Sequence, residues 1–405
     1  MGAIAAQFNR TGVNVWSAGA LLIAAVVLTP ILSVAWLAMA PSHGVWGHLA
    51  ATTLPRYLGN TLLLMLSVGA ITASVGTTAA WLVTQYRFPG VRGLEWLLLL
   101  PLAIPAYIGA YAVTDLLDYA GPVQTLLRAT FGWQSARDYW FPEVRSRWAA
   151  IIVLSAALCP YVYLMARAAF REQSVCAHEV ARTLGAGPWR RFSAIALPLA
   201  RPAIAAGAAV AMMETAADFG VVDFFAVQTL TTGIFTTWLQ AANAAGAAQI
   251  AGLVLLLVFG LTGLEKASRR RMRFYRTSRR QRPMEKVTLR GAWAWAAAAF
   301  CLVPVLVGFV LPVSVIGTLA VGNAAEWADP ALLMALGHTL LVAGTAAFVT
   351  VALALFMVYG VRLSGHSLPR ALLPVTTLGY AAPGAVLGLG LLIPLGALDN
   401  RLADL

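Results

Sequence analysis

Long runs of apolar residues, separated by short polar segments, dominate the chain. A bilayer core about 30 Å thick needs about 20 apolar residues in a helix, and several runs reach this length. The predicted membrane-spanning helices are residues 15–40, 61–84, 96–117, 148–170, 202–220, 247–264, 292–319, 338–360 and 371–396. The first run is too long for the apolar region of a typical signal peptide, so we interpret it as a helix. The pattern predicts an all-α, polytopic membrane protein.

An internal repeat is visible at an offset of 278 residues. LGNTLLL at 58–64 recurs as LGHTLLV at 336–342, and at the same offset Pro105 corresponds to Pro383. Six predicted helices separate corresponding positions, and because six is an even number the repeats insert in the same direction, as parallel repeats. The second repeat contains counterparts of the first three helices only. We therefore expect about three more helices, in a continuation of the chain or in a second polypeptide.

The charge distribution predicts the orientation in the membrane. The chain is 60% hydrophobic and only 11% charged, which excludes a water-soluble globule. Eleven of the 28 Lys and Arg residues lie between Lys266 and Arg290, and only six fall in the outer segments. The positive-inside rule places this stretch and the N-terminus in the cytoplasm, and we prefer this interpretation to a nucleic-acid site. The predicted units are the first repeat (1–264), a basic linker (265–291) and an incomplete second repeat (292–405).

An amphipathic segment follows the fourth predicted helix. The spacing of apolar residues predicts a helix from Glu172 to Leu184, with Gly185 as its C-cap and Gly187-Pro188 enforcing the break. A short surface helix followed by a turn can dock into a groove of another protein. The alternative is an amphipathic connection without a partner.

At these residues the chain resembles the permease subunits of type I ATP-binding-cassette (ABC) importers. The loop signature of that family is Glu-Ala-Ala, three residues, Gly, nine residues, Ile, one residue, Leu-Pro. The positions in register are Glu179, Ala181, Gly185, Ile195, Leu197 and Pro198, and Val180 replaces the second alanine. The resemblance implies a MetI-like permease bundle whose loop is a coupling helix.

The resemblance also implies partners. It predicts two ATPase subunits, a periplasmic substrate-binding protein and a bacterial inner membrane. The chain itself has no Walker-type loop, so we expect no bound cofactor, no enzymatic activity and ATP hydrolysis on the partner subunits.

A second segment resembles the ferric-iron permeases of the same superfamily. A Glu, an Asp-Phe-Gly and a Thr-Thr-Gly-Ile-Phe follow one another there, and the matches are Glu214, Asp218–Gly220 and Thr231–Phe235. The two-repeat layout is also shared with those permeases. The resemblance implies that ferric iron is the cargo. An importer for thiamine, a polyamine or a phosphonate, an ion-coupled secondary transporter and a non-transporting membrane scaffold remain alternatives.

Glu214 and Asp218 are the candidate residues of the transport path. A helix that starts at Pro202 would place Glu214 about 18 Å along its axis, near or just beyond the membrane midplane. An acid there usually faces a cavity or a partner, and carboxylate oxygens suit hard cations. The alternative is that Glu214 braces the bundle through a hydrogen bond or an ion pair.

Overall fold

The chain folds almost entirely into α-helices in the computed structural model, which describes residues 15–41, 45–173, 175–270, 286–363, 367–376, 379 and 382–404. Most of the predicted basic linker, at 271–285, lies outside the described residues. Among the described residues, eight helices are long and apolar enough to cross a membrane, or nine when one bent pair is counted as a span. The prediction of an all-α polytopic fold is confirmed.

The described helices before the linker alternate between long spans and short connecting helices. They are α1 (Val15–Ala38), α2 (Val45–Ala51), α3 (Leu54–Gln85), α4 (Val91–Leu97), α5 (Ala106–Leu117), α6 (Pro122–Phe131), α7 (Arg147–Arg171), α8 (Val175–Thr183), α9 (Pro188–Arg191), α10 (Leu197–Ala217), α11 (Gly220–Phe224), α12 (Leu230–Phe235) and α13 (Ala244–Arg270). A π-helical turn joins α9 to α10, so one continuous rod reaches from Pro188 to Ala217.

The helices described after the linker are α14 (Ala292–Val305), α15 (Leu311–Gly322), α16 (Pro330–Leu363), α17 (Ser367–Thr376) and α18 (Gly384–Ala403). A π-helical turn joins α14 to α15 in one rod. The described strands are two residues long each: β1 (Tyr86–Arg87) follows α3, and β2 (Val287–Thr288) precedes α14. They pair in parallel, with Tyr86 opposite Val287.

The third predicted helix is wrong as a straight span, because the chain bends by 94° between residues 103 and 106. Pro105 disfavours helical backbone at the residue before it, and Ile104 is extended, with φ −110° and ψ 121°. The ninth predicted helix differs in a similar way. Two described helices, α17 and α18, occupy that region, and α18 begins directly after Pro383.

Helix α7 is the centre of the first half and packs between α3 and α10. Small residues allow the close approach on both sides. A Cβ atom added to Gly207 of α10 would lie 2.7 Å from the Cα atom of Val162, and one added to Gly76 of α3 would lie 3.0 Å from the backbone nitrogen of Tyr163. Small residues favour helix packing in a membrane because they let the two backbones approach closely. Apolar side chains gain little by leaving the lipid, because the lipid is equally apolar.

The first long helix of each half packs against the other half. Helix α1 contacts α16, α17 and α18, and Gly390 of α18 lies directly against the carbonyl group of Pro30. Reciprocally, α14 packs on α4 and α7, and α15 packs on α5. Each half therefore packs against the first long helix of the other half.

A helix start recurs at the offset of 278 residues. Ala106, the first residue of α5, corresponds to Gly384, the first of α18. Prolines with similar backbone angles, Pro105 and Pro383, precede both starts. The recurrence supports the division into two parallel repeats, which remains a proposal.

Candidate functional site

Helix α8 lies at the end of the bundle where α7 terminates, opposite to the end that carries α6. The side chains of Val180 and Leu184 are 56% and 81% exposed, whereas Ala181 is buried. Glu179 is also exposed. The described helix runs from Val175 to Thr183, and Glu172 and Gln173, which the sequence predicts to be helical, lie outside it. It therefore offers a short apolar surface that no described part of the chain covers.

The turn after α8 is held in one conformation by its backbone hydrogen bonds. Gly185 N–H donates to the Arg182 carbonyl at 3.1 Å, and Ala186 N–H donates to the Ala181 carbonyl at 2.9 Å. These two bonds form a Schellman motif, and Gly185 has the left-handed backbone that this motif requires, with φ +78°. The predicted C-cap is confirmed. A side chain at this position would strain the turn.

The two ends of the loop that carries α8 are tied together. Gln173, two residues after α7, donates from its side-chain amide to the carbonyl of Ala196 at 2.9 Å. Ile195 lies in the π-helical turn before α10, and Leu197 and Pro198 form the first turn of α10; all three are half-buried. The matched motif thus divides into an exposed part on α8 and a part that starts α10.

An aromatic chain leads from this loop into the bundle. Trp189 of α9 is 76% exposed, and its ring centroid lies 5.6 Å from that of Phe192. The Phe192 ring lies 5.2 Å from the buried ring of Trp81 on α3, which in turn contacts Phe170 of α7 at 5.3 Å. The rings form a continuous line of contacts from the exposed loop to the ends of α3 and α7.

Glu214 is half-buried near the end of α10. The helix extends back to Leu197 and continues into the rod from Pro188, so the predicted start at Pro202 is wrong. Glu214 lies three residues before the last residue of α10, in the turn that leads to the Asp218 segment.

Asp218 directly follows α10 and shapes the segment that comes after it. One carboxylate oxygen accepts hydrogen bonds from the backbone N–H groups of Val221 at 3.0 Å and Val222 at 3.2 Å, which caps α11. The backbone carbonyl of Asp218 accepts a bond from the hydroxyl group of Thr231 at 2.8 Å. The Asp-Phe-Gly and Thr-Thr-Gly-Ile-Phe motifs are therefore in direct contact.

A replacement series at Asp218 tests its role in capping α11. We expect Asp218→Ala to lower the free energy of unfolding by about 1 kcal/mol, because two N–H groups of α11 lose their acceptor. Asp218→Asn should retain most of the stability, because its amide oxygen can still accept both bonds. Thermal unfolding of the purified protein in detergent measures both variants, with Asp223→Ala, an exposed acid in the same segment, as the control. Equal destabilisation by Ala and Asn would contradict the capping role.

Sequence reasoning missed an ionic cluster at the end of the bundle that carries α8. Glu95 of α4 accepts bonds from Arg167 of α7 at 2.8 Å, from Arg171 at 3.2 Å and from Lys286 at 2.8 Å. The Glu95 side chain is 14% exposed. We call these four residues the Glu95 cluster. No sequence signal predicts it, because its members lie on three separate segments.

The described residues contain no group of three or more His, Cys, Asp and Glu side chains that could hold a metal ion. Glu214 and Asp218, the predicted acids of the transport path, lie four residues apart at the end of α10.

Comparison with known proteins defines the class of this membrane protein. The family model "Binding-protein-dependent transport system inner membrane component" matches residues 2–274, which is more than half of the chain. The chain therefore belongs to this family of multi-pass membrane proteins. The predicted resemblance to importer permeases is confirmed at the level of the family.

Individual relatives transport different ions according to their names. The Fe(3+)-transport system permease protein FbpB 2 of Haemophilus influenzae is 27% identical over 342 residues, which cover 82% of this chain and 62% of the relative. The sulfate transport system permease protein CysT of Escherichia coli is 29% identical over 223 residues, 52% of this chain and 76% of the relative. The molybdenum transport system permease protein ModB of Escherichia coli is 28% identical over 205 residues, 48% of this chain and 86% of the relative. The chain thus spans less than two thirds of the ferric relative's length.

Proposed function

We propose that this chain is the membrane-spanning permease of an ATP-driven importer, with ATP hydrolysed by separate subunits. The observation that carries the proposal is the exposed, rigidly capped helix α8 in a chain of this family. Leu184 and Val180 present apolar surface next to the charged Glu179. Such a surface on a short helix is typical of a site that docks into a groove of another protein.

The proposed orientation places α8 in the cytoplasm, where the ATPase subunits bind. It rests on the basic residues, because the stretch from Lys266 to Arg290 begins in the last turns of α13 and continues after that helix. The end of α13 lies on the same side of the membrane as α8, because two spans, the α9–α10 rod and α13, separate them. The opposite end, which carries α6, would then meet a substrate-binding protein in the periplasm.

We propose ferric iron as the cargo. The relative that is named as a ferric permease aligns over 82% of this chain, whereas the sulfate and molybdenum relatives align over about half of it. Glu214 and Asp218 supply carboxylates that attract a cation and repel an oxyanion. An oxyanion is the second candidate, because the sulfate and molybdenum permeases match the first half at similar identity.

Replacing Glu214 tests the cargo and the transport path together. Glu214→Gln keeps the shape of the side chain and removes its charge, so we expect ferric iron uptake to fall about tenfold while the amount of membrane protein stays near normal. Uptake of radioactive iron by intact cells measures the effect, and Asp223→Asn is the matched control on an exposed acid.

Two outcomes would contradict the role of Glu214 in the transport path, and a third would contradict iron as the cargo. Parallel loss of protein and uptake would show that Glu214 braces the bundle. Normal uptake in Glu214→Gln would remove Glu214 from the path. Uptake of sulfate or molybdate by the unaltered protein, with none of iron, would establish the oxyanion candidate.

Co-purification with the cognate ATPase subunit tests the proposed function itself. We expect a stable complex from cells that express both proteins, because α8 would fill the groove of the ATPase. Its absence under conditions that retain the lipid bilayer, such as native nanodiscs, would contradict the proposal.

A further inference from the structure

The Glu95 cluster lies where three parts of the chain meet. Arg167 and Arg171 occupy the last turns of α7, directly before the loop that carries α8. Glu95 lies on α4, and the hydroxyl group of Tyr163 on α7 donates to its backbone carbonyl at 3.0 Å. Lys286 comes from the end of the linker. One carboxylate thus connects the base of the loop with the segment that enters the second half.

Lys286 is held by more than its ion pair. Its ammonium group donates to the Val83 carbonyl at 2.7 Å, as well as to Glu95 at 2.8 Å. Val83 lies in the last turn of α3, where carbonyl groups have no partner within the helix and a cation is favoured. Lys286 therefore joins the ends of α3 and α4 through a single side chain.

The residues after Lys286 continue this attachment. Thr288 of β2 pairs with Arg87 of β1, and Leu289 N–H donates to the Arg87 carbonyl at 2.9 Å. Helix α14 then starts at Ala292 and packs against α4 and α7, with Cys301 buried in the same apolar core as Tyr163. The start of α14 is thus fixed to the first half by polar bonds at its end and by apolar packing along its length.

We propose that the Glu95 cluster is a clasp that makes the start of α14 move together with the base of the α8 loop, and that Lys286 and Glu95 are positioning residues for coupling. The proposal rests on the proposed function, in which force from the ATPase enters at α8. Because α14 belongs to the second half, the clasp passes a displacement of one loop to both halves. A contact alone does not establish coupling, so the test includes a functional ratio.

The first measurement concerns the clasp alone and needs no ATPase. Arg87→Cys and Thr288→Cys place two exposed cysteines at paired positions, where Cα atoms lie within disulfide range, in a background with Cys176 replaced by serine. We expect Lys286→Met to slow oxidative cross-linking about tenfold, because the strand loses its charged hydrogen bonds. Lys286→Arg should cross-link at the parent rate.

Arg290→Met is the matched control, because Arg290 is exposed on the same segment and forms no ion pair with the residues that the structure describes. It should cross-link at the parent rate. If Lys286→Met cross-links as fast as Arg290→Met, the cluster does not hold the strand and the proposal is overturned.

The second measurement is the amount of cargo taken up per ATP hydrolysed by the reconstituted complex. We expect this ratio to fall about threefold or more in Lys286→Met and to stay unchanged in Lys286→Arg and Arg290→Met. A purely structural role would lower uptake and ATP hydrolysis in proportion, and an unchanged ratio with slower cross-linking would overturn the coupling role. If the unaltered complex transports nothing, the proposed function fails and the coupling role with it, whereas the cross-linking rate still decides whether the clasp exists.

Discussion

Gly207→Val is expected to prevent the first half from folding into its compact bundle. A Cβ atom at Gly207 would lie 2.7 Å from the Cα of Val162 and 3.1 Å from the carbonyl oxygen of Tyr161, and these backbone atoms cannot move aside as a flexible side chain can. The α10 helix would have to separate from α7 along the buried contact. We expect a loss of about 3 kcal/mol or more in the free energy of unfolding, at the upper end of overpacking effects.

The amount of protein in the membrane and its melting midpoint in detergent measure this effect. Gly252→Val is the matched control, because Gly252 lies in α13 and a Cβ atom there would have no neighbour within 4 Å among the described residues. The control should accumulate normally. A stable Gly207→Val protein with the parent melting midpoint would show that α7 and α10 are not packed as closely as described.

Leu184→Asp should abolish transport while the bundle stays folded. Leu184 is 81% exposed at the tip of the α8 turn, so its replacement removes little packing within this chain. In the proposed complex the same side chain would be buried in the ATPase groove, where an aspartate would be desolvated without a partner. We expect association with the ATPase subunit to weaken at least about thirtyfold, which corresponds to roughly 2 kcal/mol for a central interface residue.

Leu126→Asp is the control for this experiment. Leu126 of α6 is 67% exposed at the opposite end of the bundle, so the same change there should leave the ATPase complex intact. Binding is measured by titrating the ATPase subunit onto the permease in nanodiscs. Equal binding by the Leu184→Asp and the parent protein would remove α8 from the docking surface.

Local signals in the sequence predicted much of this fold. Apolar run length located the eight membrane-length helices and the bent pair among the described residues. Gly185 predicted the C-cap because a left-handed turn favours glycine at a helix end. Run length failed at Pro105, where hydropathy is continuous but the backbone bends by 94°. Pro105 is visible in the sequence, but a hydropathy average does not register that proline lacks the backbone N–H group that a continuous helix needs.

The start of α10 is the second feature that the sequence predicts wrongly. Pro202 was interpreted as the beginning of a helix, yet it lies inside α10, and the rod continues back to Pro188. A proline inside a membrane helix is tolerated when neighbouring groups satisfy the freed carbonyl, so it does not by itself define a boundary. The position of Glu214 along its helix changed accordingly, whereas its order relative to Asp218 did not.

Contacts between distant segments were beyond sequence reasoning. Glu95 is separated by 72 residues from Arg167 and by 191 from Lys286, and no period or motif relates these positions. The packing of α1 against α18 is of the same kind, because it depends on where the second half lies in the folded chain. Such contacts can be identified only in the folded structure, because the partners of each pair are far apart in the sequence and meet only after folding.

Transport by reconstituted vesicles shows whether this permease imports iron at the expense of ATP. The vesicles contain this permease with its cognate ATPase subunits, with ATP on the side that carries α8 and a binding protein loaded with radioactive ferric iron on the other. Iron should cross only when ATP is hydrolysed, and Leu184→Asp should stop the transport. Iron movement that needs no ATP and follows a proton or sodium gradient would contradict the proposed function.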